Sequence, residues 1–155
     1  MNKNLLSSFL KVSAVLWIIW GLVHVLAGVM TLKGHFDGDV SASIAGIADA
    51  VEASAVQMNY HPAASAIVAQ HGFNLFWIGI VTFISAFYIW KKNANAIFLA
   101  AITGGLADVG YFLFLDLGGH VKFIPGTLMT IVSATAIILS FYAYFKSDKM
   151  AAFAD

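Results

Sequence analysis

The chain has 155 residues, of which 61% are hydrophobic and only 10% charged, against about 25% charged in an ordinary water-soluble domain. Eight lysines, no arginine and eight acidic residues leave a net charge of zero, so no basic field exists to hold nucleic acid by its phosphates. The lack of cysteine removes disulfides, thiolate metal sites and a cysteine nucleophile, leaving His, Asp, Glu, Asn, Tyr and hydroxyl groups for any chemistry.

The first eleven residues are a mildly basic lead-in to an apolar run that contains a Val-Leu-Ala sequence ending at Ala27. A signal peptide would have this form, but the apolar run is about as long as a full membrane span, so it reads as a retained helix. Four stretches meet the length of about 20 mostly apolar residues that crosses roughly 30 Å of hydrocarbon at 1.5 Å per residue. They are residues 12–32, 63–90, 96–115 and 127–145. The second is longer than necessary and starts behind Pro62, a residue suited to a first helical turn.

Lys3, Lys11, Lys91, Lys92, Lys146 and Lys149 flank one side of these spans, while Lys33 and Lys122 lie on the other. The positive-inside rule places both termini and the Lys91-Lys92 turn in the cytoplasm, with a bacterial inner (plasma) membrane as the expected location. Short connections between spans 2, 3 and 4 make neighbouring helices antiparallel. The long outer connection carries Ile44, Ile47, Val51, Ala55 and Met58 at helical spacing, with Asp49, Glu52 and Gln57 elsewhere around the wheel. Residues 41–57 are therefore expected to form a short amphipathic helix that lies on the outer membrane surface or caps the spans, most simply as an interfacial connector. The expected fold is all-α: an integral membrane four-helix up-down bundle forming one domain over residues 1–155.

Ionisable groups inside spans cost about 2.5–3.5 kcal/mol on insertion scales and so face protein or a wet cavity. His24, His71 and Asp108 are the clear cases, all in the outer half, with His71 about 10 Å further out than the other two. His24 shares its face with Gly21, Ala27 and Gly28, and Asp108 shares its face with Ala101, Gly104 and Tyr111. Small residues admit a neighbouring backbone, so both polar groups should point at protein. Polar stripes also run along span 2 (His71, Asn74, Thr82, Ser85) and span 4 (Thr130, Ser133, Ser140, Tyr144). Hydroxyls in membrane helices commonly bond their own backbone carbonyls, and a histidine beside an asparagine can simply join two helices. A second group, His35, Asp37, Asp39, His61, Asp116, His120 and Lys122, surrounds the outer mouth, where solvated loop residues are the plainest reading.

Several functions can be built on these residues. The reading ranked first is a pocket in the outer half that binds a small ligand or a membrane lipid, lined by His24, His71, Asn74, Asp108, Tyr111 and Thr130, with Trp20, Phe76 and Phe112 nearby. Asp108 and His24 would be the acid-base pair if a reaction occurred there. A metal ion held by His24, His71 and Asp108 has the right donor types, but the depth offset of His71 and the lack of an HxxxH pair count against it. A haem between His24 and His71 needs ligands almost level with each other, and a proton path finds no ionisable group in the inner half. The competing class is an accessory subunit of a larger membrane complex, or a homo-oligomer, docking through aromatics such as Phe83, Phe87 and Phe114. A pocket requires a wet cavity at His24 and Asp108, whereas the subunit reading expects a dry, filled core. Four spans with a long first outer loop are superficially similar to the DoxX-like proteins, but no motif residue matches. The vitamin K epoxide reductases share the four-helix theme but need cysteines that this chain lacks.

Overall fold

The computed structural model describes residues 3–48 and 53–147, and these are helical without any strand. In chain order they form α1 (Lys3–Phe36), α2 (Val40–Ala48), a 3-10 turn (Ala53–Val56), α3 (Pro62–Trp90), α4 (Ala94–Asp116) and α5 (Phe123–Lys146). Helices α1, α3, α4 and α5 are each long and apolar enough to cross a membrane. Each of the four expected spans lies inside one of these helices. The helices run a few residues further because a turn of helix outside hydrocarbon meets its backbone bonds as readily as a loop does.

Local sequence explains the boundaries. Pro62 occupies the first turn of α3, where its missing N–H costs nothing, and the preceding His61 caps the helix by accepting from the Ala63 N–H at 3.2 Å. Asn93 caps α4 in the same way, accepting from the Ala96 N–H at 3.2 Å. In the long connection, α2 covers the first half of the helix expected over 41–57 and the 3-10 turn covers residues near its end. Asp49, Val51 and Glu52 lie outside the described residues. Asp39 caps α2 through the Ala42 N–H at 2.9 Å.

The packing inverts the pattern of a water-soluble protein. Buried positions are dominated by small and hydroxyl-bearing residues, among them Ser13, Ala14, Gly28, Thr82, Ala86, Ala100, Ser133, Ala136 and Ala143. Leu22, Leu26, Ile84, Phe87, Leu106, Phe114, Ile138 and Phe145 instead point outward. Lipid covers such a surface, and small residues let helix backbones approach closely.

The seam between α1 and α3 is the tightest. A Cβ at Gly21 would lie 2.8 Å from the Gly79 carbonyl oxygen, and one at Gly28 would lie 2.6 Å from the Phe76 nitrogen. These contacts set an antiparallel register in which Gly72 faces Thr31. The largest of the fully buried side chains are Trp17 and Trp20. Room for Trp17 comes from Gly104 of α4, where a Cβ would stand 2.6 Å from the indole ring.

Helix α4 is not regular. Wide π-helical turns at Ala101–Gly105 and Phe112–Asp116 flank the ordinary segment Leu106–Tyr111, which carries Asp108. Such turns recur where a helix must re-aim a side chain.

Candidate functional site

The hydroxyl stripes turn inward but mostly serve their own helices. Thr82 donates to the Ile78 and Gly79 carbonyls, Ser85 to Val81, and Ser140 to Ala136 and Ile137. Among the hydroxyls that cross between helices, Ser13 of α1 donates to the Ala136 carbonyl of α5 at 2.8 Å. Residues of the loop end have partners as well. Lys33 pairs with Asp37, His35 Nδ1 lies 2.8 Å from the Ser65 hydroxyl, and Asp116 accepts from Thr127 at 2.5 Å and from Thr130 at 2.9 Å. That last arrangement ties the end of α4 to the start of α5.

Against this background three groups are arranged differently. The Trp20 indole Nε1 donates to Asp108 Oδ2 at 2.8 Å, across from α1 to α4. Four residues further along α1, His24 stacks on the Trp20 ring with centroids 3.5 Å apart and planes 17° from parallel. His24 Nδ1 lies 2.9 Å from the Trp20 carbonyl oxygen, and because a carbonyl can only accept, Nδ1 carries the proton. In a neutral imidazole the lone pair is then on Nε2, which faces Asp108 Oδ1 at 4.0 Å. Trp20 thus orients both partners, one through its side chain and one through its backbone. The carboxylate is 5% exposed, and Ser133 of α5 is the other polar group beside it.

His24 and Asp108 open into a pocket of about 40 Å³ that is also lined by Val23, Ala27, Ile47, His71, Leu75, Tyr111, Gly126 and Met129. All five helices contribute. By the scale on which one water needs roughly 10–15 Å³, the space takes about three waters or a group of a few heavy atoms. The register of α1 on α3 puts His71 level with Thr31, about 10 Å along the axis from His24. Both histidines reach one pocket because it runs along the helix axes, with the exposed His71 at its mouth.

Of the six residues named from the sequence, the structure brings His24, His71, Asp108 and Tyr111 to this pocket and leaves two elsewhere. Asn74 accepts from the Trp77 indole at 3.0 Å on its own helix, and Thr130 is bound to Asp116. Phe112 is turned outward, 42% exposed. Sequence reasoning placed Trp20 only nearby. Its spacing of four residues from His24 was the available signal, since such a pair shares one helix face. The contributions of Ile47, Gly126 and Met129 had no comparable signal.

Among the described residues no three His, Asp or Glu side chains group closely enough to hold a metal ion together. A haem does not fit a space of this size. Comparison with protein-family models, with curated proteins and with solved structures finds no match to this chain.

Proposed function

We propose that the chain is a single-domain integral membrane protein, four spans in up-down order, whose pocket receives a small ligand or the polar end of a lipid. The observation that carries this reading is the pair His24 and Asp108, held 4.0 Å apart by Trp20 and facing an internal pocket rather than each other's hydrogen-bond shell. A pair that served only to join helices would be expected to close to hydrogen-bond distance, and an accessory subunit would be expected to fill this volume with side chains. Concave sites with a mostly apolar lining and a few convergent polar groups are where ligands bind.

Orientation follows from the lysines: the Lys91-Lys92 turn and both termini belong on the cytoplasmic side, which puts the pocket in the outer half of the membrane with α2 over its mouth. Ile47 of α2 is in the pocket wall, so that helix belongs to the site as well as to the connection.

The test is to extract the protein in mild detergent and analyse what leaves with it by mass spectrometry, for the natural chain and for Ala27→Phe, which fills the pocket without touching its polar groups. A stoichiometric small molecule or lipid present in the first and lost in the second is the expected result. A natural chain that carries nothing, and gains no thermal stability from a membrane lipid extract, overturns the proposal.

A further inference from the structure

Resting on the pocket reading above, we infer that the polar end of the ligand is an ammonium group, a short-chain primary amine in its protonated form, seated between His24 Nε2 and Asp108 Oδ1. The arrangement of hydrogen-bonding atoms is the reason. Nδ1 of His24 is committed to the Trp20 carbonyl at 2.9 Å, so a neutral imidazole offers the pocket only an acceptor. Asp108 Oδ2 is committed to the Trp20 indole at 2.8 Å, the Ser133 hydroxyl also lies beside the carboxylate, and Oδ1 is the oxygen that faces the histidine. With the carboxylate ionised, two acceptors therefore face each other across 4.0 Å, too far for a bond between them. A single atom placed about 2.8–2.9 Å from both would see them at an angle of roughly 90°, close enough to tetrahedral for two N–H bonds to reach both acceptors.

Charge narrows the choice. Among the described residues the one potentially cationic side chain within ion-pair distance of Asp108 is His24 itself, and the chain contains no arginine. A carboxylate kept from water gains from a bound positive charge that also donates hydrogen bonds. Three candidate head groups differ in what they bring. An alcohol has one O–H and satisfies one of the two acceptors. A carboxylate brings a like charge and no donor. An ammonium brings a positive charge and three donors. Beyond the polar pair the wall includes the apolar Val23, Ala27, Leu75 and Met129 beside Tyr111, which suits a short alkyl chain running towards the mouth at His71.

The experiment uses the full chain in a zwitterionic detergent at pH 7, titrated calorimetrically with propylammonium, 1-propanol and propionate, with protein-free micelles as the blank. Propylammonium is expected to bind saturably at one per chain, at least tenfold more tightly than propanol, and propionate is expected not to bind. Asp108→Asn retains an oxygen for the Trp20 indole but removes the charge, and should weaken propylammonium at least tenfold and by a larger factor than it weakens propanol. Tighter or equal binding of propanol or propionate overturns the ammonium assignment and leaves the pocket standing. Failure of all three to bind the natural chain also overturns it, and the co-purification experiment then decides the pocket separately. Because the three-ligand comparison is made on the natural chain, a variant that does not fold does not weaken it.

Discussion

Trp20 and Asp108 are 88 positions apart in sequence and joined at 2.8 Å, indole nitrogen to carboxylate oxygen, between the first and third long helices. Trp20 is fully buried and Asp108 nearly so, and in such surroundings a polar group without its partner costs about 1–3 kcal/mol. The same tryptophan stacks on His24 and accepts from its ring nitrogen. One residue, through its side chain and its backbone, therefore holds both polar groups of the pocket.

Trp20→Phe keeps an aromatic ring against His24 and removes only the donor and part of the indole volume. It is expected to lower stability by about 1–3 kcal/mol, read as a fall in the thermal midpoint in detergent. Trp77→Phe removes a comparable donor from the half-exposed bond to Asn74 and should cost clearly less. Equal effects of the two substitutions would show that the buried bond to Asp108 has no special weight.

Gly28→Val should prevent close packing of α1 on α3, because even a Cβ there would stand 2.6 Å from the Phe76 nitrogen and 2.7 Å from the Gly72 carbonyl oxygen. Backbone cannot move aside as a flexible side chain can, so the expected outcome is loss of most folded protein on size-exclusion chromatography. Gly110 is a control within another long helix: nothing lies within 4 Å of a Cβ there. Gly110→Ala should be neutral or raise stability by up to about 1 kcal/mol through helix propensity.

Asp116→Ala should loosen the junction of α4 and α5, since Thr127 and Thr130 both donate to that carboxylate. A loss of about 1–3 kcal/mol is expected, measured from thermal unfolding. Ligand binding at His24 and Asp108 should change less than stability does, as Asp116 is not part of the pocket wall.

Because the chain has no cysteine, single introduced cysteines report orientation without background. Gln57→Cys in the long connection is expected to react with a membrane-impermeant maleimide in intact cells, and Lys91→Cys only after the membrane is opened. The opposite pattern would invert the chain and place the pocket in the inner half.

The four long helices were legible in the sequence because crossing length and apolar composition are local properties, counted along one segment at a time. The inward direction of His24 and Asp108 was legible too, from the glycines and alanines that share their helix faces. The hydroxyls at Thr82, Ser85 and Ser140 could only be weighed between a polar lining and their own carbonyls. Their rotamers, which pacing along the helix does not supply, settle them on the latter.

The meeting of particular side chains was decided by the tertiary structure. Depth counting separates His71 from His24 by about two turns, and that offset remains in the register of α1 on α3. A pocket that runs along the helix axes is what lets both line it. Asn74 and Thr130 lie on polar faces as well, yet bind Trp77 and Asp116, because the rotation of each helix about its axis selects which neighbours a polar residue meets. Composition and periodicity determine that helices form and which face turns inward. Register and rotation are set by contacts between distant residues, here the backbone approach of Gly21 to Gly79 and of Gly28 to Gly72, and no single segment contains them.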